Sequence, residues 1–453
     1  MTATAEAGGR ARWTRYQVFV LAALVLVNGF NYLDRAILNI LQEPIKADLA
    51  LTDTQLGMIS GPAFAILYTL ASVPIARWAQ RGDRTTILSL ALAIWSGATA
   101  ACGAAMSYVH LFVSRLFVGL GEGACSPTSY SLVADYFPAR QRGMAMAAIS
   151  ASIPIAGFVA PLAGGFIAHE WGWRWAFVIV GLPGVALAVA LKATLRDPRK
   201  AGRAAAGEAA RPSNFLADIR LLAANRAFVF FFFANAFMGM AISGTNVFTA
   251  SYFIRQYGMS LREAGVIVAL GLGLAGLAGT FLGGFLSDRF AGERGRSYLI
   301  LPSVGAGLAG CLFLVTFTRE IWPVALAFLI LANVATDLKN ATVLAAAQNM
   351  SPDHMRPTTA AVTMIAVTLL GTAIGPLIVG TLSDLTAARE FAGGLGDFAA
   401  ACPGGRGAGA AAAACAEASA AGMRAGLLAI SGVYFAAMTM FGLSAWALKE
   451  RLN

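Results

Sequence analysis

Charged residues are scarce in this sequence. They make up 12% of its 453 residues, about half the share of roughly 25% that a soluble domain carries. Histidine occurs only three times, and no Cys-x-x-Cys spacing, nucleotide-binding loop or catalytic triad is present. The composition therefore argues against a soluble domain, and the motifs give no sign of an enzyme, a metal or a cofactor.

Apolar residues dominate the composition. They form 58% of the chain, and the mean hydropathy is +0.68. We predict an all-α membrane protein with twelve transmembrane helices of about 20–30 residues, long enough for a hydrocarbon core of about 30 Å. The predicted spans begin near Tyr16, Gln55, Arg84, Tyr108, Arg142, Gly172, Asn225, Arg262, Arg296, Glu320, Met355 and Arg424.

The net charge of +10 has a simple explanation in the membrane. With a cytoplasmic N-terminus, the inner segments hold 22 of the 33 Lys and Arg residues, the outer segments hold 8 and the spans hold 3. This excess follows the positive-inside rule and predicts that both termini are cytoplasmic. The basic balance thus reflects topology rather than a nucleic-acid partner.

One polar, basic segment divides the chain into two halves. We predict six-helix bundles over 16–191 and 225–449, joined by a cytoplasmic linker over 192–224. Residues 1–15 are predicted to be a disordered tail, and 385–423 a long outer loop before the last helix.

The second half repeats the first at an offset of about 214 residues. Pro138 and Arg142, after the fourth span, correspond to Pro352 and Arg356 after the tenth. Six spans per half make the halves parallel repeats, related by an axis along the membrane normal.

Two cysteines fall in the predicted outer loop, Cys402 and Cys415. Two states remain open for them, free thiols or a disulfide formed in an oxidising compartment.

The first and fourth spans each carry two ionisable residues. Placing a charged side chain inside the membrane costs roughly 2.5–3.5 kcal/mol, so we expect these residues to be functional. The first span holds Asp34 and Arg35, and the fourth holds Arg115 and Glu122. Arg115 and Glu122 are nearly two helical turns apart and share one face. Asp34 and Arg115 are expected at similar depth, so we predict an ion pair between them, although such a pair can also simply fix two helices together.

Further candidates lie near these charges or in the other half. Tyr32 and Tyr130 are candidate cavity residues, as is Asn246 in the seventh span. The tenth span holds Asp337, next to the position that the repeat places opposite Glu122.

Several motifs resemble those of a known family. Twelve spans in two repeats, with Gly284-Phe-Leu-Ser-Asp288-Arg289 after the eighth, resemble the major facilitator superfamily. The corresponding turn before Arg84 departs from the motif, because Gln80 stands where an aspartate is expected. Within the superfamily, the chain resembles the Spinster-like transporters through the motifs Asn31-Tyr-Leu-Asp-Arg35, Leu51-Thr-Asp-Thr-Gln-Leu-Gly57, Arg115-x-x-x-Gly-x-Gly-Glu-Gly123 and Asp135-Tyr-Phe-Pro138.

The resemblance implies roles for individual residues. Asp34 and Glu122 would couple transport to protons, and Arg35 and Arg115 would orient an anionic substrate. Spinster-like proteins are associated with export of lysophospholipids and sphingolipids, which implies an amphipathic anionic lipid as substrate. Apart from these roles, we predict substrate binding by Asn31, Tyr32, Tyr130, Asn246 and Asp337, and gating by Arg84, Asp288 and Arg289.

Two other functions stay open. The Asn-Tyr-x-Asp-Arg and Gly-x-Gly-Glu patterns also occur in symporters of sugar acids, which predicts instead a proton-linked importer of small organic anions. A non-transporting scaffold is the third, although no soluble signalling domain is present. The aromatic run over 228–237 suits an acyl chain better than a sugar acid. We expect a monomer in the bacterial inner membrane, without cofactors.

Overall fold

The computed structural model describes residues 13–201, 215–289, 297–352, 355–391, 397–409 and 411–452. Throughout these residues the regular secondary structure is helical, with no strand. The first half contains eight helices: α1 Arg15–Asp48, α2 Asp53–Ser60, α3 Pro62–Arg81, α4 Arg84–Cys102, α5 Tyr108–Glu122, α6 Cys125–Tyr136, α7 Ala139–Trp171 and α8 Trp173–Thr194.

The second half begins with a short helix before its membrane-length helices. Two π-helical segments, Ala269–Leu274 and Ala366–Thr372, lie within the predicted eighth and eleventh spans. The helices are α9 Phe215–Ala224, α10 Arg226–Tyr257, α11 Leu261–Val268, α12 Ala275–Arg289, α13 Ser297–Thr316, α14 Trp322–Asp337, α15 Asn340–Asn349, α16 Arg356–Ile365, α17 Ala373–Glu390, α18 Phe398–Ala401 and α19 Ala411–Leu452.

Ten helices of the described chain are long and apolar enough to cross a membrane. The predicted fourth and tenth spans are not among them, because each is interrupted near its middle. The fourth breaks between Glu122 and Cys125, and the tenth between Asp337 and Asn340. The two breaks are about 215 residues apart, close to the offset of the sequence repeat. Ten of the twelve predicted spans are therefore long apolar helices, and the other two are each divided into two shorter helices.

Two predicted connections also contain more helix than expected. The last helix begins at Ala411, and α17 continues to Glu390, so the predicted loop over 385–423 is much shorter. Alanine has the highest helix propensity, which explains why an Ala-rich stretch without hydrophobic periodicity is helical. The described part of the linker over 192–224 includes the end of α8 and all of α9; residues 202–214 lie outside the described chain.

The larger apolar cluster joins the two halves near one end. This cluster combines Ile37, Leu41 and Ile59 of the first half with a large set of second-half residues, such as Phe253 and Leu427. The other part of the first half has a separate cluster with hardly any second-half member. We call the joined end, where α1 leads into α2, the Asp53 end, and the opposite end, where α3 leads into α4, the Arg84 end.

Glycine makes the helix packing in the first half possible. A Cβ added at Gly121 would lie 2.7 Å from the carbonyl oxygen of Ala91 and 2.9 Å from Cβ of Trp95. These distances are closer than a side chain tolerates, so α5 can approach α4 only because residue 121 is glycine. Small residues commonly allow such close contacts between membrane helices.

We expect Gly121→Ala to destabilise the protein by about 1–3 kcal/mol, the usual cost of overpacking. Gly97→Ala is the matched control, since it lies in α4 with nothing within 4 Å of its added Cβ. Thermal unfolding in detergent would measure both variants. Equal Tm values for the two would contradict the packing that the structure shows.

Candidate functional site

The four ionisable residues of the predicted first and fourth spans come together between α1 and α5. They are Asp34, Arg35, Arg115 and Glu122. A Cβ at Gly119 would lie 2.2 Å from the carbonyl oxygen of Phe64, and one at Gly123 would lie 2.9 Å from that of Tyr68. The glycines on either side of Glu122 therefore bring the backbone of α3 against α5. As a result, two aromatic side chains of α3 reach the charged cluster.

Arg35 and Glu122 form the ion pair at the centre of this site. Arg35 Nε donates to Glu122 Oε2 over 2.5 Å. The Glu122 side chain is fully buried, whereas 30% of the Arg35 side chain is exposed. Arg35 also donates a longer bond of 3.4 Å to Asn31 Oδ1. Part of the Arg35 side chain is thus exposed while its charge stabilises a buried carboxylate.

The predicted ion pair between Asp34 and Arg115 does not form. Both carboxylate oxygens of Asp34 are buried without a hydrogen-bond partner, as are Nε and one terminal nitrogen of Arg115. The charges of Glu122, Arg115 and Arg35 nevertheless act on Asp34. Counting residues from the helix ends gave the depth of these groups, but the rotation of each helix selects the partner, and it turns Arg35 toward Glu122.

Aromatic rings surround the exposed part of Arg35. Its guanidinium carbon lies 4.4 Å from the ring centre of Phe64, 5.0 Å from that of Tyr68 and 5.5 Å from that of Tyr32. Arg115 lies 5.6 Å from the same Phe64 ring. Such contacts fix a guanidinium and contribute about 0.5–2 kcal/mol each. Sequence reasoning missed Phe64 and Tyr68, although their spacing of four residues on one helix face was a usable signal.

The other predicted binding residues occupy different places. Tyr130 is 42% exposed on α6, and Asn246 is half-buried on α10. Asp337 belongs to a separate polar group at the break of the tenth span, where Asn340 Nδ2 donates to Asp337 Oδ1 and to Thr280 Oγ1. Among the described side chains, no hydrogen bond or ion pair links Asn246 or Asp337 to the Arg35 cluster.

The aromatic run over 228–237 does not form one surface. Phe228 and Phe231 are buried, and Phe231 packs edge-on against Phe441 of α19. Phe233, by contrast, is 44% exposed. A helix distributes consecutive residues around its circumference, so the expectation that the whole run contacts a lipid tail was wrong for Phe228 and Phe231.

A second charged cluster at the Asp53 end joins the two halves. Arg255 of α10 donates to both carboxylate oxygens of Asp53 over 2.7 Å and to Glu43 over 2.9 Å. Lys46 lies 2.6 Å from Asp53 Oδ1. The side chains of Asp53, Lys46 and Arg255 are 2%, 3% and 7% exposed. Sequence reasoning noted the segment 51–57 only as a motif and assigned no role to these residues.

The second half also caps a helix of the first. Asp384 of α17 accepts hydrogen bonds from the backbone N–H of Asp53 over 3.0 Å and of Thr54 over 2.7 Å. The first N–H groups of an α-helix have no partner within the helix. The N-terminus of α2 is therefore completed by a carboxylate of the opposite half, which ties the halves together at this end.

The predicted gating residue Arg84 makes contacts at the other end, within its own half and the start of the linker. One terminal nitrogen lies 2.6 Å from Asp135 and 2.6 Å from Asp197, and the guanidinium also bonds Ser131. Arg289 is exposed at the end of α12, and the side chain of Asp288 lies outside the described part of the chain. Between described side chains, the ion pairs and hydrogen bonds that cross the halves all lie at the Asp53 end.

The contacts of Asp197 predict a pH-dependent contribution to stability. Burial raises the pKa of this carboxyl, but the hydrogen bonds from Arg84 outweigh burial and leave the pKa below its ordinary value. A carboxyl with a lowered pKa stabilises the fold above its unfolded pKa, near 3.9, and loses that contribution as the pH falls through the folded value.

We therefore expect Asp197→Asn to lower the unfolding free energy by about 1–3 kcal/mol at neutral pH. The difference in Tm from the wild type should stay constant above about pH 5 and shrink below about pH 4. Glu417→Gln, at an exposed position of α19, is the control for loss of one carboxyl. A difference that grows on acidification would contradict the assignment.

This arrangement of two helical halves, with buried charges in one half and the halves joined at one end, is that of a membrane transporter. The model of the Major Facilitator Superfamily matches residues 24–376. The chain therefore belongs to the Major Facilitator Superfamily, whose members are transporters and not enzymes.

Similar proteins refine this assignment. An MFS-type efflux pump of Mycolicibacterium smegmatis is 32% identical over 83% of this chain and 86% of its own length. A probable galactarate/D-glucarate transporter of Bacillus subtilis is 28% identical over 68% of this chain and 73% of its own length. A solved bacterial homolog of the human lysosomal transporter Spinster, inward-facing and unoccupied, has a TM-score of 0.84 and 27% identity over 97% of this chain and 99% of its own. The chain is thus a Spinster-like transporter.

Proposed function

We propose that this protein is a proton-coupled secondary transporter that works by alternating access, with twelve transmembrane helices and cytoplasmic termini. The ten long helices and the two interrupted ones, α5–α6 and α14–α15, would make up the twelve. The basic inner segments favour the Arg84 end as cytoplasmic. The disulfide between Cys402 and Cys415 supports an external Asp53 end, since disulfides persist in oxidising compartments. The likeness to bacterial proteins favours the inner membrane.

The observation that carries the proposal is the Arg35–Glu122 pair beside Asp34, a buried carboxylate for which the described residues provide no ion pair. A buried charge without a partner is costly, so a site with two carboxylates and two arginines is poised to change its protonation when a charged ligand arrives. An anionic substrate that engages Arg35 competes with Glu122 for the same guanidinium. Released Glu122 then binds a proton, and substrate binding is linked to proton binding.

We further propose an amphipathic anionic lipid, such as a lysophospholipid or sphingolipid, as the substrate. The exposed part of Arg35 would bind the anionic head. The rings of Phe64, Tyr68 and Tyr32, which lie beside the Arg35 guanidinium, would provide the apolar surface next to it. Arg115, Asn31 and Tyr130 would complete the binding site. Asn246 and Asp337 would contribute from the second half, although no described hydrogen bond or ion pair connects them to the Arg35 cluster.

A specific observation favours a second candidate. Sugar-acid transporters occur among the relatives, and an arginine beside a buried carboxylate suits a small organic anion equally well. Proteoliposome flux of a lysophospholipid and of glucarate, each with and without an inward-acid pH gradient, would separate the two substrates. Uptake of glucarate alone would overturn the lipid assignment.

The proposed conformation closes the Asp53 end and opens the Arg84 end. The inter-half contacts at Asp53 support closure on the outside, and the similar Spinster homolog is inward-facing. Arg84, Asp288 and Arg289 would then act in the opposite state, where the Arg84 end closes.

We expect Glu122→Gln to retain substrate binding and exchange without a gradient but to lose pH-driven flux. Glutamine mimics the protonated carboxyl and cannot release a proton. One proton moved across 100 mV supplies about 2.3 kcal/mol, so the variant should lose roughly fiftyfold accumulation. Full pH-driven accumulation by Glu122→Gln would leave Asp34 as the proton carrier, which Asp34→Asn would then test in the same assay.

We expect Arg35→Ala to abolish flux of an anionic lysolipid and to spare a neutral analogue, because only the anion needs the guanidinium. Arg174→Ala is the matched control, since Arg174 also contacts a carboxylate and an aromatic ring, Asp48 and Trp173, but at the Asp53 end. Equal losses for charged and neutral substrates would show that Arg35 holds the fold rather than the substrate.

A further inference from the structure

The hairpin closed by the Cys402–Cys415 disulfide touches both halves of the molecule. Cys402 precedes the short helical turn Pro403–Gly405, and Cys415 lies in α19. Both cysteines are buried in a small apolar cluster with Phe391 and Ala418. The disulfide and this cluster therefore fix the hairpin to the second half.

The turn Pro403–Gly405, which directly follows Cys402, rests on α1 of the first half. A Cβ added at Gly404 would lie 2.7 Å from the carbonyl oxygen of Lys46 and 3.3 Å from Cα of Ala47. One added at Gly405 would lie 3.1 Å from Nζ of Lys46 and 3.2 Å from Oγ of Ser419 in α19. The two glycines thus fit between the end of α1 and α19, where no larger residue has room.

Lys46, which the turn Pro403–Gly405 contacts, belongs to the charged cluster at the Asp53 end. Lys46 Nζ lies 2.6 Å from Asp53 Oδ1, and Asp53 also binds Arg255 of the second half. By covering Lys46, the hairpin shields this ion pair from water and keeps its lysine directed at Asp53. Electrostatic attraction strengthens when water is excluded.

We propose that the disulfide-bonded hairpin is a latch that stabilises the state closed at the Asp53 end, so that reduction of Cys402–Cys415 favours opening of that end. The latch rests on the proposed alternating access, because it biases the equilibrium between the two states. A contact made in only one of two states shifts the population toward that state. Breaking the disulfide removes the covalent link that holds Cys402 and the adjacent turn to α19, which weakens the contact of Gly404 and Gly405 with α1.

The N-terminal amides of α2 supply the readout. The N–H groups of Asp53 and Thr54 have no partner within the helix, and they are bonded to Asp384 of the other half. Their hydrogen exchange therefore requires separation of the halves at this end. Mass spectrometry of a peptide covering 51–57, in the full-length protein in lipid nanodiscs, measures that separation directly and needs no substrate or proton gradient.

Reduction is the first arm of the test. A phosphine reductant should raise exchange in the 51–57 peptide by about fivefold, which corresponds to the loss of a contact worth about 1 kcal/mol. Exchange in the interior of α10 should not change. A Cys311→Ser background removes the exposed free thiol, while Cys102 and Cys125 are buried. Unchanged exchange in protein whose disulfide is shown by mass to be reduced would overturn the latch.

A pair of glycine substitutions forms the second arm and involves no redox chemistry. Gly404 and Gly409 both have left-handed backbones, with φ of 64° and 57°, but an added Cβ at Gly409 meets nothing within 4 Å. Both changes to alanine carry the same backbone strain, and only Gly404→Ala pushes on α1. We expect faster exchange at 51–57 in Gly404→Ala than in Gly409→Ala, and equal rates would overturn the latch.

Failure of the latch and failure of the proposed transport are distinguishable. If exchange responds in both arms while no flux is found with lysolipid or glucarate, the latch stands and the substrate assignment falls. If flux is found but exchange responds in neither arm, transport stands and the hairpin has only a structural role.

Discussion

The burial of charge within the first half is the constraint on which the rest of this structure depends. Asp34, Arg35, Arg115 and Glu122 sum to zero formal charge, yet only Arg35 and Glu122 are paired directly. In a medium of low dielectric constant, such a cluster is tolerated when its charges compensate one another and when one member reaches water. Arg35 is that member. A ligand that changes the charge near Arg35 would disturb this balance, which is why the proposed coupling of substrate to protons rests on this cluster.

The glycines of α5 serve this cluster as much as they serve packing. Gly119 and Gly123 flank Glu122 along α5, and each faces a backbone carbonyl of α3 at the distance where a methyl group would collide. Close approach of the two helices places Phe64 and Tyr68 against Arg35. The site thus combines two helices, α1 and α5, that each supply one arginine and one carboxylate with a third, α3, that supplies rings. The helix break after Glu122 ends the charged segment.

The two ends of the molecule use charge in different ways. At the Arg84 end, Arg84 binds two aspartates of its own half and of the linker, which stabilises the half without joining it to the other. At the Asp53 end, Arg255 and Asp384 reach across to the first half. Ion pairs that cross between two packed bodies break when those bodies separate. In this structure the described ion pairs between the halves therefore lie at the Asp53 end.

The sequence by itself determined the class of this protein, its division into halves and the residues of the charged cluster. Scarce charge and long apolar runs leave few alternatives to a helical membrane protein, and an arginine or a carboxylate inside such a run is conspicuous. The tertiary structure decided which charges meet. Residue spacing along a helix gives depth, but rotation and tilt follow from contacts such as Gly119 against Phe64, so the pairing of Arg35 with Glu122 was not predictable. The same holds for Asp53, Arg255 and Asp384, and for the hairpin on Lys46. The partners that meet across the halves, such as Arg255 with Asp53 and Asp384 with Asp53, are 202 and 331 positions apart in the sequence. Only the packing of the two halves brings them into contact.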